Sequence, residues 1–381
     1  MIYIYYILFE VGLAATIYYN ALFHENAKLI ASICFAILFI VSVFKTNPIK
    51  DKIFRSLIIC YLLGCISNAY FYFIIGRTKL DILNIEILFP LMVAYSSYVL
   101  IEIKRDNLKL FLLPICIFSA WCAIQAVIHG LGSLRLLEYE DGDIAKNQIG
   151  VAFTVVAIIC LVFAVEKDKN WYRIVYGILS LINLYPAYFL SCRTAQVCYI
   201  IVFIFVIYKR YRSSTILLIF VLSVLIILGV HLLGDAFLES FIGNREASDI
   251  DSLSSGRVSR LYQSWNYFLA HPLVGFLGSG DGYIFMPEAA HMFLLFRLER
   301  YGCFGAIPFI IIYIKLFNTM LHSVKDNNQL IAGTLLLAYV ESLAEYAPPF
   351  GPGSSLILMF FLIGLYYHET SQHSTIKISQ H

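Results

Sequence analysis

The chain has 381 residues, of which 60% are hydrophobic and 14% charged, with a net charge of +2 and a mean hydropathy of +0.79. That hydropathy excludes an ordinary water-soluble domain and points to a polytopic membrane protein. The small net charge identifies no partner, because in such a chain the placement of charges matters more than their sum; no nucleic-acid partner is expected.

A helix needs about 20 mostly apolar residues to cross a bilayer. Runs of that kind predict an all-α bundle of about 12 transmembrane helices, near residues 2–22, 28–44, 56–75, 82–103, 110–130, 148–165, 174–190, 195–208, 214–234, 289–317, 329–346 and 353–367. The first run continues past signal-peptide length without a cleavage-like site and reads as a retained helix. Nine cysteines, among them Cys34, Cys60, Cys116 and Cys160, lie mostly inside apolar runs and show no metal-ligand or disulfide spacing.

Alternate loops carry the positive charge: Lys45, Lys50, Lys52 and Arg55; Lys104, Arg105 and Lys109; Lys167, Lys169 and Arg173; Lys209, Arg210 and Arg212. The positive-inside rule makes these loops cytoplasmic and both termini cytoplasmic. The acidic loop 131–147, the tight junction "LSCRTAQ" and the long segment 235–288 then face outward. The chain reads as a single transmembrane domain, 1–381, with 235–288 as an embedded external loop subdomain, since a loop this long is uncommon without a function.

Arg193, in "SCRTA", sits between two apolar runs at the outer membrane surface. It is either an anchor that snorkels to the headgroups or an anion contact facing the bundle, where the guanidinium fork suits phosphate. Further on, "SLSSGRVSRLYQSWNYFLAHP" reads as an amphipathic helix lying along the membrane, with Ser254 or Ser255 as N-cap and its end before Pro272. Val258, Leu261, Tyr262, Trp265, Phe268 and Leu269 form its apolar stripe, while Arg257, Arg260, Ser264 and Tyr267 share the other side. Two arginines in a first helical turn oppose the helix dipole, which suits a bound anion; headgroup adhesion is the alternative.

In "HMFLLFRLER", read as one helix, Leu295 and Leu298 share the face of His291, with Glu299 to one side and Arg297 and Arg300 pointing away together. His291 is either a satisfied core residue or a general base that takes a hydroxyl proton near neutral pH. Gly302 and Gly305 allow a kink or close packing beyond it. Nearer the C-terminus, Glu341 and Glu345 lie one helical turn apart at an outer edge, where they pair with an arginine or contact sugar hydroxyls. The acidic pairs Asp141/Asp143 and Asp249/Asp251 are too short a motif to carry a metal site, and "GFLGSGDGY" lacks the lysine of a phosphate loop. No metal and no cofactor are expected.

Four stretches in order, "SCRTA" at 191–195, "SSGR" at 254–257, "SWNYFLAHPLVGFLGSG" at 264–280 and "AAHMFLLFRLERYGCFG" at 289–305, resemble the O-antigen polymerase (Wzy) and O-antigen ligase superfamily of bacterial membrane proteins. The resemblance covers the C-terminal half. Met292 departs from it, standing where the family usually has asparagine. The resemblance implies a metal-independent, inverting glycosyltransferase of the outer leaflet of the bacterial inner membrane, with its active site facing the periplasm. Its substrates would be undecaprenyl-diphosphate-linked oligosaccharides, as both donor and acceptor, and a chain-length regulator a further partner. Carried over, Arg193 and Arg257 hold the diphosphate, joined by Arg260 from helix geometry, and His291 is the base. Glu299, Arg297, Arg300, Glu341 and Glu345 are candidates for supporting roles. The polymerase reading has two rivals, a ligase that passes the finished chain to a lipid A core and a flippase for lipid-linked sugars.

Overall fold

The computed structural model describes residues 2–22, 25–50, 52–75, 85–103, 105–128, 142–166, 170–190, 192–210, 257–272, 292–344 and 356–378. Among them all regular structure is α-helical. In chain order the helices are α1 (Ile2–Leu22), α2 (Glu25–Lys45), α3 (Lys52–Ile75), α4 (Ile85–Leu100), α5 (Arg105–Ile128) and α6 (Gly142–Val165). They continue as α7 (Asn170–Phe189), α8 (Arg193–Arg210), α9 (Arg257–Ala270), α10 (Phe293–Lys325), α11 (Gln329–Ala344) and α12 (Ile357–Ile378). The expected span 214–234 lies outside the described residues.

Two helices form the centre. From Ile149 to Phe163 α6 is buried all round and apolar but for Thr154, and α12 is buried on every side from Ile357 to Tyr366. The other spans wrap them with one face in and one face out. On α2 the inner face is Ala27, Ala31, Cys34, Phe35 and Leu38, while Leu29, Ile30, Ile33, Ile37, Ile40 and Phe44 are exposed. A helix apolar on both faces would leave a large greasy surface in water, so this exterior is that of a bundle solvated by lipid tails. Asn26–Lys45, Asn107–Ile128 and Gly305–Lys325 are by length and composition sufficient to cross a membrane. Other described helices carry shorter apolar stretches, such as Tyr3–Tyr19 and Ile149–Val165.

Close helix crossings and aromatic contacts hold the centre. Phe35 meets Phe9 at 6.1 Å and Phe89 at 5.4 Å, and Phe9 meets Phe361 at 5.2 Å, joining α1, α2, α4 and α12. At the α4–α12 crossing a Cβ on Gly364 would overlap Ser97 Oγ and the Ala94 carbonyl oxygen, so no side chain fits there. Buried polar groups are paired across helices: Ser119 donates to Asn183 Oδ1 at 2.5 Å, and Ser180 donates to the Ala157 carbonyl at 2.7 Å.

The basic ends gather at one end of the bundle. Lys45 Nζ lies 4.9 Å from the Tyr5 ring, the Tyr6 hydroxyl donates to the Glu102 carbonyl, and the Tyr95 hydroxyl donates to the Thr46 carbonyl at 2.9 Å. Lys109 forms a 2.6 Å ion pair with Glu166, and the Tyr176 hydroxyl donates to the Lys109 carbonyl. The Tyr366 hydroxyl donates to Asp326 Oδ2, and a ring nitrogen of His368 contacts the Tyr98 carbonyl. These contacts join the starts of α1, α5 and α7, the ends of α2, α4, α6 and α10, and the C-terminal half of α12, which is the alternation expected of successive crossings. Lys109 is a correction to its reading as a loop charge: it is buried and neutralised by its partner rather than presented to an aqueous face.

Candidate functional site

The opposite end holds Arg193 and Glu341. α7 and α8 are joined by a turn in which Leu190 N–H donates to the Pro186 carbonyl and Cys192 N–H to the Ala187 carbonyl. A Cβ on Gly150 would stand 2.7 Å from Cys192 Cβ, so the start of α6 closes against this turn. Arg193 follows as the first residue of α8, half-buried. Its guanidinium is thus attached to a helix N-terminus, where backbone N–H groups and the dipole already favour an anion.

One turn into α8 stands Gln196, a residue that sequence reasoning passed over. Its Nε2 donates to the Ala187 carbonyl at 3.1 Å, its Oε1 meets no donor among the described residues, and the side chain is buried. The glutamine of "RTAQ" was visible in sequence; its burial was not. Glu341 stands in the last turn of α11, which packs along α8. The carboxylate is buried. Arg193, Gln196 and Glu341 therefore belong to one corner formed by α8 and α11.

The first part of α10 departs from expectation. The helix begins at Phe293, after Met292 in an extended conformation (φ −145°, ψ 120°). The expected helical faces counted from residue 291 therefore do not apply, and His291 itself lies outside the described residues. At Gly302 the backbone takes φ 65° and ψ −175°. In a continuous helix Phe293 and Phe309 would stand about 24 Å apart, yet their rings are 5.9 Å apart. The segment 293–301 is therefore folded back on the membrane-crossing limb that follows.

This reversal buries Arg297, which sequence periodicity had pointed away with Arg300. The guanidinium lies over three rings, 4.6 Å from Phe309, 5.2 Å from Phe293 and 5.7 Å from Phe296. Only 1% of the residue is exposed. Such cation–π contacts are strongest where water is excluded. Glu299 on the same limb is also buried. Phe309 lies one turn from Tyr313, whose hydroxyl shares a 2.9 Å hydrogen bond with Ser342 beside Glu341. Arg297 is thereby placed towards the same end of the bundle as Glu341.

In α9 the apolar stripe faces out: Tyr262 and Leu269 are each 67% exposed and Trp265 is 59% exposed. Arg260 and Tyr267 are half-buried and Ser264 is fully buried, so the polar side faces inward. Phe268, assigned to the stripe by its spacing, is half-buried. Partial burial pushes the Tyr267 phenol up from its ordinary value, and its ring meets His271 at 4.7 Å. Arg257 opens the helix. The side chains of Arg257, Arg300 and Asp143, the N-cap serines 254 and 255, Glu345, Asp141, Asp249 and Asp251 lie outside what the structure describes.

Among the described residues no three His, Cys, Asp or Glu side chains come together as a metal-ligand set. The chain matches no protein-family model and no curated protein.

Proposed function

We propose that the protein is a multi-pass glycosyltransferase of about 12 spans that polymerises undecaprenyl-diphosphate-linked oligosaccharides at the outer face of a bacterial inner membrane. The observation that carries this reading is Arg193: a half-buried guanidinium fixed to a helix N-terminus, at the end of the bundle opposite the basic loops. With the basic end cytoplasmic, both termini are cytoplasmic and this corner faces the periplasm. The resemblance of the four C-terminal stretches to the O-antigen polymerases supplies the substrate class.

In the reaction, the acceptor sugar hydroxyl attacks the anomeric carbon that joins the growing chain to undecaprenyl diphosphate. His291 takes the hydroxyl proton, the anomeric carbon–oxygen bond to the diphosphate breaks, and undecaprenyl diphosphate leaves as an anion with inversion. Arg193 and Arg257, with Arg260, hold that diphosphate before and after bond cleavage. Gln196 Oε1 and the buried carboxylates at 299 and 341 supply acceptors for sugar hydroxyls or orient the arginines.

Binding of farnesyl diphosphate to the detergent-purified protein tests the anion site without requiring turnover. Replacing Arg193 by lysine keeps the charge but loses the fork, at a cost of about tenfold or more in affinity. Equal affinity in Arg193→Lys and the parent protein would remove Arg193 from the diphosphate site.

A further inference from the structure

The turn that joins α7 to α8 is organised around one carbonyl. Ala187 stands in the last turn of α7, where carbonyl oxygens have no partner inside their own helix. Its oxygen accepts two hydrogen bonds, one from the Cys192 backbone N–H at 2.9 Å and one from Gln196 Nε2 at 3.1 Å. The first closes the turn. The second reaches back across the turn from α8 and ties the start of that helix to the end of α7.

The residue that opens α8 explains why the tie comes from Gln196. The Cys192 carbonyl accepts from the Gln196 backbone N–H at 3.1 Å, which makes Cys192 the N-cap. Ser, Thr, Asp or Asn is preferred there because a side-chain oxygen holds the first turn. A thiol is a weak acceptor and a poor substitute. Gln196 therefore fastens the helix start twice, with its backbone inside α8 and with its side chain outside it.

Burial makes this tie count. Gln196 is 7% exposed, so water does not readily replace a lost bond. From the other side α6 presses on the same turn: a Cβ on Gly150 would stand 2.7 Å from Cys192 Cβ and 3.8 Å from Ala187 Cα. Arg193 lies between Cys192 and Gln196 in the chain, so its backbone is fixed by both the bond from α8 and the contact with α6. A guanidinium fork that meets two phosphate oxygens is directional, and a tilt of its helix start is felt as lost affinity.

We propose that Gln196 is a positioning residue for Arg193: by holding the Ala187 carbonyl, its Nε2 sets the direction in which the first turn of α8 and its guanidinium meet the lipid diphosphate. The inference rests on the diphosphate reading of Arg193, and it requires no contact between Gln196 and the ligand.

A double-mutant cycle with Arg193, read by farnesyl diphosphate binding to the detergent-purified full-length protein, tests it. Gln196→Met keeps the length and packing of the side chain but removes the donor, and the Ala187 carbonyl keeps its bond from Cys192. Affinity should fall about fivefold. In an Arg193→Ala background the same substitution should change affinity by less than about twofold, whereas a general loss of packing would lower it equally in both backgrounds. In polymer synthesis Gln196→Met should raise KM and leave kcat within about twofold, since the diphosphate is held before and after cleavage. Gly150→Ala crowds Cys192 from the α6 side with Gln196 intact; it should also lower affinity only where Arg193 is present, and it serves if Gln196→Met is not recovered folded. Unchanged affinity in Gln196→Met, or in Gly150→Ala where that variant stands in for it, would overturn the positioning role, as would an equal drop in both backgrounds. If Arg193→Ala lowers affinity and Gln196→Met does not, this inference alone fails; if Arg193→Ala leaves affinity unchanged, the diphosphate reading fails and this role with it.

Discussion

Replacing Gly302 by alanine probes the feature that shapes the candidate site. At φ 65° and ψ −175° the residue occupies a region that only glycine enters readily, and holding another residue there costs about 1–3 kcal/mol. The chain has two responses. If the reversal persists, the strain appears directly as lost stability. If segment 293–301 instead continues the helix, Phe293 moves from 5.9 Å to about 24 Å from Phe309 and Arg297 leaves its three rings. Each such contact is worth about 0.5–2 kcal/mol when desolvated, so straightening offers no escape. Thermal unfolding of the purified protein should therefore begin roughly 2–6 °C lower in Gly302→Ala. Gly177→Ala is the control: a Cβ there meets nothing within 4 Å, and alanine in a helix gains about 0.5–1 kcal/mol over glycine. Unfolding of Gly302→Ala at the parent temperature would refute the fold-back of α10.

Three further expectations follow from the packing. Gly364→Val should push α4 and α12 apart, since even a Cβ overlaps Ser97 and Ala94; a drop of about 2–3 kcal/mol in stability is expected, read as earlier thermal unfolding. In the buried Lys109–Glu166 pair, Lys109→Met alone should cost about 3 kcal/mol because it removes one member of a buried ion pair, while adding Glu166→Gln should recover part of the loss. Asn183→Leu removes the acceptor of Ser119 in the buried layer between α5 and α7 and should cost about 1–3 kcal/mol, with Ser119→Ala in the same chain restoring part of it.

Much of the helical layout was legible because apolar runs near 20 residues alternate with charged loops. The expected span 2–22 coincides with α1, and 56–75 and 148–165 fall within α3 and α6 with shared ends. Pro90, Pro114 and Pro186 did not break their helices, as packed neighbours in a bundle tolerate them. The 14-residue helix from Arg257 was legible in both its period and its faces.

What sequence missed depended on tertiary contact. Gly302 was legible as a place where the chain could kink, and it does so at φ 65°, but the period of "HMFLLFRLER" carries no sign of the full reversal that brings Phe293 onto Phe309. Lys109 looked like any loop lysine until α6 brought Glu166 beside it. Gln196 was passed over as one polar residue at the start of an apolar run. Burial gave it an amide oxygen that meets no donor among the described residues.

The most direct measurement uses the full-length protein in liposomes supplied only with undecaprenyl-diphosphate-linked repeat units, with products resolved on a gel beside a His291→Ala variant. A ladder of polymer that disappears in the variant is the expected result. No ladder, or one that persists without His291, would contradict the account, and transfer that appears only on addition of a lipid A core acceptor would make the protein a ligase.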